Sequence, residues 1–321
     1  PIELPPQVRA GVLNWAAMIA TDQADREQAL ALRETALALY RQLGDTRGIA
    51  RSLYHLASEA TKQGDFERAA DLLEEEEALG REAMALDQGA EWSNMAVSAA
   101  LNGLGELAFL SADFPRATTL YEESLRLSRA AGNTFLVADA LANLGEVWHH
   151  RGDLDQATVF YNEALDLFRK LGHEPGVAFV FFGLGRLALT RDDAALAARL
   201  LTDSLVLLDR IGRRSALAEC LESLAGAVSA LGDAQLSVRL LAVGATLREA
   251  LGFPRPAAYR AEYERQVASA RAALAEQTFN ESWAAGISAP LEQVIAEVAR
   301  FAAERAAGRV VHHTASGEAI S

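Results

Sequence analysis

The sequence has few cysteines and few basic residues. Cys220 is the only cysteine among 321 residues, which excludes an internal disulfide framework and is typical of a protein kept in a reducing compartment. We therefore expect a cytoplasmic protein. Basic residues number 30 against 44 acidic ones, which gives a net charge of −14. A surface of this sign repels phosphate backbones and anionic lipid headgroups, so the composition argues against direct nucleic-acid or membrane binding.

Long apolar runs are also missing. The strongest candidate, Val177–Leu189, is interrupted by Gly183, Gly185 and Arg186, and it is shorter than the roughly 20 residues that span a bilayer. The first residues, PIELPPQ, contain neither the basic nor the apolar stretch of a secretory signal. The sequence therefore predicts no membrane span, and a start without methionine suggests a piece of a longer polypeptide.

The motifs of common catalytic sites do not occur. There is no G-x-S-x-G, no H-E-x-x-H and no phosphate-binding loop. His149 and His150 are adjacent, and neighbours on a helix point about 100° apart, so they are poor ligands for one shared metal ion. We interpret the acidic run Glu74–Glu77 as a solvated helix face and Cys220 as a core residue. The sequence predicts a protein that is not an enzyme and that has no cofactor or metal.

One glycine motif has two possible explanations. The stretch FFGLGRLAL, residues 181–189, contains the order G-x-G-x-x-A, which binds the pyrophosphate of a dinucleotide when a strand precedes it and a helix follows. Related stretches recur along the chain, however. They define a column of small residues at steps of 40, 48, 40, 40 and 40, namely Ala17, Ala57, Gly105, Gly145, Gly185 and Ala225. Because a cofactor loop does not recur six times, we assign these glycines to helix packing.

Other columns share this period. Large residues stand four positions before the small column, and a second small column follows further along each repeat. Each repeat also has an aspartate, preceded by Gly, Ala or Asp: Asp25, Asp65, Asp113, Asp153, Asp193 and Asp233. A glycine can end one helix in the left-handed conformation, and a carboxylate can accept the free N–H groups that begin the next helix. The pattern predicts two helices joined by a tight turn.

These columns predict six hairpins within residues 8–252, each split at its aspartate. Their ranges are Val8–Leu43, Thr46–Leu79 or beyond, Asn94–Ala131, Thr134–Leu171, Pro175–Ile211 and Arg214–Leu251. We interpret the longer step, in the segment EEEEALGREAMALDQGAEW, as a helix extended by about two turns. Pro254 and Pro256 then stop the last repeat helix. We expect capping helices in 253–307, near 257–276, 279–285 and 288–307, followed by a flexible tail at 308–321.

The repeat columns carry a family resemblance. The second helices of four repeats have an aromatic residue or leucine at a shared position: Tyr121, Tyr161, Leu201 and Leu241. Together the columns resemble the tetratricopeptide repeat, lengthened from about 34 residues to 40. This longer form is similar to the repeats of bacterial signal-transducing ATPases and LuxR-type transcriptional regulators, including the maltose-regulator group. The segment Leu240–Gly286 is similar to the one that closes the repeat region of such ATPases. The resemblance covers about Val8–Arg305, and it implies an all-α fold, an α-solenoid of helix hairpins with a C-terminal helical cap.

The resemblance also implies a function. The nucleotide-binding loop GxxxxGK[ST] of these ATPases and the C-terminal helix-turn-helix of LuxR-type regulators are not found in this sequence. The chain then corresponds to the sensor or interaction region, which works with an ATPase or output domain in the same polypeptide or complex. We expect a non-enzymatic module that binds a protein segment or a small ligand. The alternative is a structural oligomerisation scaffold whose contacts are made by the C-terminal helices.

The partner is expected in a groove. In this architecture the first helices of successive hairpins line a concave face, and residues just after the large and small columns point into it. We predict that a peptide or small ligand contacts Asn14, Met18, Arg51, Tyr54, Ser58, Lys62, Asn102, Glu106, Phe109, Asn143, Glu146, His149, Phe182 and Arg186. The aromatic members of this set either contact the partner or pack between turns, and the sequence leaves both possibilities open.

Overall fold

The computed structural model describes residues 4–22, 26–86, 90–252, 255 and 257–315. No strand occurs among these residues, and consecutive helices connected by short turns confirm the predicted all-α solenoid class. The described helices, in chain order, are α1 (Pro6–Asp22), α2 (Arg26–Leu43), α3 (Thr46–Gln63), α4 (Phe66–Ala85), α5 (Ala90–Leu110), α6 (Phe114–Ala130), α7 (Thr134–His150), α8 (Leu154–Leu171), α9 (Glu174–Thr190), α10 (Ala194–Arg210), α11 (Arg214–Ala230), α12 (Ala234–Leu251), α13 (Ala257–Ala273), α14 (Glu276–Ser288) and α15 (Leu291–Ala315).

The predicted aspartate column consists of helix N-caps. In each case the side chain accepts a hydrogen bond of 2.9 to 3.2 Å from the backbone N–H three residues further on. The residues concerned are Asp65, Asp113, Asp153, Asp193 and Asp233, which begin α4, α6, α8, α10 and α12. Asp25 lies outside the described residues. The capping bond satisfies one of the N–H groups that the first turn of a helix leaves without a partner.

The glycine motif lies inside a helix. Gly183 and Gly185 belong to α9, which is helical from Glu174 onwards, so the strand that a dinucleotide loop requires does not precede them. A Cβ on Gly183 would come within 2.4 Å of the Tyr161 ring, and one on Gly185 within 2.6 Å of Leu201 Cγ. The glycines therefore permit close packing of α9 against α8 and α10, as predicted.

The extra residues of the longer repeat are divided between two helices. α4 contains 20 residues and α5 contains 21, whereas their counterparts in later repeats contain 17 or 18. The predicted single extension is thus divided between the end of α4 and the start of α5, and residues 87–89 lie outside the described part.

The chain forms two compact units, Pro1–Val147 and Trp148–Ser321, and the boundary falls within α7. Unit 1 contains several small clusters of buried side chains, such as the one that joins Leu37, Leu53 and Leu56. Unit 2 contains a large cluster, which continues from the repeat helices α9 to α12 into α13, α14 and α15. The core of unit 2 therefore includes both repeats and C-terminal helices.

The C-terminal helices lie close to their predicted positions. Phe279 of α14 and Val294 and Val298 of α15 are buried in the unit 2 cluster. α15 continues to Ala315, beyond the predicted end near Ala307 and into the segment expected to be a flexible tail. Of the predicted helix stop at 253–256, only Arg255 is described, and residues 316–321 lie outside the described part.

The interpretation of the acidic run as a solvated face was wrong for one residue. Glu76 is 2% exposed, while Glu74 is exposed and Glu75 and Glu77 are half-buried. The run lies in α4, and the period of a helix turns one of four successive side chains towards the interior. Cys220, in contrast, is fully buried as predicted.

Candidate functional site

The predicted groove residues differ widely in exposure. Those of unit 1 lie on α1, α3, α5 and α7: Met18, Arg51, Lys62 and Glu106 are exposed, Asn14, Tyr54, Ser58 and Asn143 are half-buried, and Asn102, Phe109 and Glu146 are buried. In unit 2, His149 is half-buried, whereas Phe182 and Arg186 are buried. Of the three predicted aromatic residues, Tyr54 is therefore the one that reaches the surface.

A chain of polar side chains joins α5 and α7 in unit 1. Asn143 Nδ2 donates to Asn102 Oδ1 over 3.2 Å, and Asn102 Nδ2 donates to an Asp139 carboxylate oxygen over 2.5 Å. Burial raises the pKa of Asp139 to about 6, although the hydrogen bond from Asn102 opposes that rise. The sequence reasoning found both asparagines but missed Asp139.

Tyr54 belongs to the same polar surface. Burial raises the pKa of its hydroxyl, and the charges of Asp139, Glu106 and Glu76 raise it further. The hydroxyl consequently stays protonated and remains available as a hydrogen-bond donor at neutral pH. We refer to Tyr54, Asn102, Glu106, Asp139 and Asn143 as the Tyr54 row.

The predicted basic residues of unit 1 already have partners. Arg51 donates to the Tyr40 hydroxyl over 2.9 Å, and Lys62 lies 3.5 Å from a carboxylate oxygen of Glu59. Because both cations already have partners, neither is an isolated anion receptor. The Tyr54 row is thus a surface of carboxylates, amides and one phenol, a combination that suits cationic and hydrogen-bonding groups of a partner.

In unit 2, α13 covers the predicted basic residue of α9. Arg186 is 3% exposed and donates to a Glu262 carboxylate oxygen over 2.8 Å and to His150 Nε2 over 3.2 Å. Its guanidinium carbon lies 4.7 Å from the centre of the Tyr259 ring and 5.5 Å from that of Phe182. We refer to these five residues as the Arg186 cluster.

The electrostatics of this cluster favour an ionised pair. Burial would by itself raise the pKa of Glu262, but the charge of Arg186 and its hydrogen bond lower it below the ordinary value. Burial and the charge of Arg186 lower the pKa of His149 to about 4 and that of His150 to about 3. Both imidazoles are therefore neutral at physiological pH, and His150 accepts a hydrogen bond from Arg186.

A second ionic contact near α13 involves Glu222 of α11. Arg255, just before α13, donates to Glu222 over 2.6 Å, and the buried Arg248 of α12 donates to the same carboxylate over 2.9 Å. A small cavity remains beneath α13, lined by Phe182, Glu219, Glu222, Ser223, Tyr259, Glu262, Tyr263 and Gln266. The face of α9 and α11 is thus polar, recessed and covered by a helix.

Of the residues that sequence reasoning missed in unit 2, His150 lies at the end of α7 and the others come from the cap. Tyr259, Glu262 and Arg255 lie outside the repeat columns, so the repeat frame could not place them. Their local sequence, a tyrosine followed three positions later by glutamate, gives one face of a helix two polar side chains. That face was a possible signal, but nothing in the sequence says what it contacts.

Other chemical candidates give no site. Burial raises the pKa of Cys220 to about 12, so its thiol is a poor nucleophile. Among the described residues, no group of three or more His, Cys, Asp or Glu side chains could hold a metal ion. Within the same residues, no helix has both the length and the apolar character needed to cross a bilayer.

The repeated hairpins define a helical-repeat protein, and comparison with known families identifies the repeat. The family model described as tetratricopeptide repeat matches residues 8–82, 96–170 and 136–209, which together cover more than half of the chain. The chain belongs to the tetratricopeptide repeat family, whose fold is in general a protein-binding scaffold. No curated protein matches the sequence significantly.

Solved structures with the same fold include several bacterial proteins. BtubC from P. vanneervenii is 20% identical, with a TM-score of 0.50 over 79% of this chain and 95% of that chain. The apo form of RapI is 14% identical, with a TM-score of 0.51 over 82% of this chain and 98% of that one. Aspartyl phosphate phosphatase F from Bacillus subtilis is 13% identical, with a TM-score of 0.52 over 82% and 71%. At these identities the likeness concerns the fold.

Proposed function

We propose that the chain is a cytoplasmic, non-enzymatic sensor or interaction region of a bacterial transcriptional regulator or signal-transducing ATPase. It binds a protein segment or small ligand and passes that event to an ATPase or output domain in the same polypeptide or complex. The proposal is supported by the tetratricopeptide repeats, which build protein-binding scaffolds, and by the length of the repeat, which resembles that of such regulators.

The Tyr54 row is the part of the predicted groove that best suits a partner. The observation that carries this choice is the partial exposure of Tyr54 beside Glu106 and Asp139. Aromatic side chains with a polar end are frequent anchors at protein interfaces. Carboxylates around the anchor favour a partner segment with basic side chains, through complementary charge.

Site-specific photocrosslinking tests this assignment. The photoreactive residue p-benzoylphenylalanine replaces Tyr54 in one version of the full chain and the exposed Glu74 of α4 in the control, and both are irradiated in extract of the source cells. We expect a discrete adduct from position 54 and not from position 74. Adding Glu106→Lys should remove the adduct, because the reversed charge repels a basic segment. Equal adducts from both positions, or an adduct that Glu106→Lys does not change, would contradict the assignment.

The oligomerisation alternative has less support. The apolar residues Phe279, Val294 and Val298 of α14 and α15 are buried within the core of unit 2, so they are already used inside the chain. Light scattering on the full chain provides the test, since a scaffold that works through its C-terminal helices must be oligomeric.

A further inference from the structure

α13 buries fewer side chains than the repeat helices on which it lies. Among its residues, Ala270 is the one that is buried, whereas each repeat helix of unit 2 that α13 approaches has many buried residues. Its contacts with α9 include the ion pair between Glu262 and Arg186 and the stacking of Tyr259 on the same guanidinium. Two partly buried apolar side chains of α13 also pack against the core of unit 2. A helix with a single fully buried residue contributes less to the core than its neighbours do and opens at a lower free energy.

The surroundings of Arg186 favour the binding of a carboxylate. It is buried among Phe182, His150 and the cap, and the neutral imidazole of His150 takes one of its N–H groups without supplying a charge. A buried guanidinium that loses its carboxylate partner is strongly destabilised, because the remaining charge is poorly solvated. Whatever lies on this face must therefore provide an anion at the position of Glu262.

The aromatic residue adds a second requirement. Tyr259 and Glu262 are three positions apart on α13, so they lie on the same helix face and reach Arg186 together. A cation is attracted to the face of an aromatic ring. The pair thus combines a ring and a carboxylate at positions three residues apart on one helix face.

We propose that the face of α9 and α11 around Arg186 is a binding site for a helical protein segment with an aromatic residue followed three positions later by a carboxylate. α13 fills this site within the same chain, and the partner segment replaces it. This inference rests on the proposed function as a protein-binding module, but it concerns a different surface from the Tyr54 row. When a carboxylate of the partner segment replaces that of Glu262, Arg186 stays paired. A segment without a carboxylate leaves Arg186 unpaired, so such a segment is not bound.

A peptide with the sequence of α13 tests the site directly. The labelled probe has the sequence of residues 257–273, and a control peptide carries the changes Tyr259→Ala and Glu262→Gln. Binding is measured by fluorescence anisotropy to three full chains: wild type, a loosened variant with the same two changes in its own α13, and the matched control Glu264→Gln. Glu264 is exposed on the same helix.

The expected result follows from competition between the probe and the chain's own α13 for the same site. The loosened variant should bind the probe at least about tenfold more tightly than the wild type or Glu264→Gln does, because its own helix no longer occupies the site. The control peptide should bind the loosened variant at least about tenfold more weakly than the probe, because it lacks the carboxylate. Circular dichroism of the loosened variant should show a loss of helical signal no larger than the 17 residues of α13 account for.

Three results would overturn the inference. These are equal affinity of the probe for all three chains, equal affinity of the loosened variant for both peptides, and a loss of helical signal in the loosened variant larger than α13 accounts for, which would make α13 a structural element. Any of them combined with an intact Tyr54 adduct leaves the proposed function standing. If position 54 gives no adduct but the probe binds selectively, the Tyr54 row is not a partner site, while the inference about the Arg186 site stands.

Discussion

Glu76 shows how one residue can depart from a repeat pattern. The corresponding positions of the other repeats are Ala36, Ser124, Ala164, Ser204 and Gly244, which are small and buried. Glu76 places a long side chain in this column, and one of its carboxylate oxygens is buried without a hydrogen-bond partner. Because desolvation penalises the charged form, burial raises the pKa of Glu76 well above its ordinary value.

The change Glu76→Met should stabilise the protein in a pH-dependent way. As the pH rises above about 4.5, the unfolded chain releases the proton of Glu76 while the folded chain retains it, so wild-type stability falls relative to the variant. We expect the difference in free energy of unfolding to grow to on the order of 1–3 kcal/mol at neutral pH, the cost of a buried polar group without a partner. Urea unfolding between pH 4.5 and 7.5 provides the measurement.

The neighbouring Glu74 serves as the control for this prediction. It is exposed on the same helix, so Glu74→Met should change stability by less than about 0.5 kcal/mol at every pH. A difference between wild type and Glu76→Met that is the same throughout this pH range would show that Glu76 does not titrate as described.

Residues of the repeat columns could be predicted because their roles depend on near neighbours. The aspartate caps need only the three residues that follow them, and the small residues need only a helical period. Asp139 was missed because it lies off the rows that were read as groove positions. The partner of Arg186 was missed because Glu262 is 76 residues away, on a helix without the repeat columns.

At the scale of helices, the turn between α5 and α6 contains a local strain. Ala112 adopts a left-handed conformation with φ of 64°, at the place where the turn between α7 and α8 has Gly152 with φ of 86°. In this region the Cβ of an L-residue is crowded by its own backbone, at a cost of roughly 1–2 kcal/mol. Asp113 caps α6 all the same, so the turn forms despite this cost.

The change Ala112→Gly should therefore stabilise unit 1. The relief of strain exceeds the additional entropy that glycine gives the unfolded chain, and we expect a gain of about 0.5–1 kcal/mol in the free energy of unfolding. The reciprocal change Gly152→Ala should cost about 1–2 kcal/mol. Chemical denaturation monitored by circular dichroism measures both changes. A loss of stability in Ala112→Gly would contradict the assigned conformation.

The helices themselves were easier to predict than their boundaries and contacts. Recurrent glycines and aspartates mark each turn, so the hairpins followed from local chemistry. Between α4 and α5 these glycine and aspartate signals are missing. The sequence therefore could not say how the extra residues divide between the two helices. For α13 the sequence indicated a helix, but its contacts with α9 and α11 depend on the folding of the whole of unit 2.

At the scale of the molecule, the two units differ in what they leave accessible. Unit 1 has a polar row around the half-buried Tyr54, while in unit 2 the predicted residues Phe182 and Arg186 lie beneath α13. We infer that the Tyr54 row and the covered face around Arg186 suit groups of opposite charge, since the row carries carboxylates and the face a buried guanidinium.

Hydrogen–deuterium exchange of the full chain tests most directly whether α13 is a replaceable occupant. The amides of α13 should exchange at least about tenfold faster than those of α10 and α12, because helices that bury little apolar surface open at low free energy. Glu262→Gln should accelerate exchange in α13 further and leave α10 unchanged, while Glu264→Gln should leave both unchanged. Protection of α13 equal to that of α10, and insensitive to Glu262→Gln, would contradict the account.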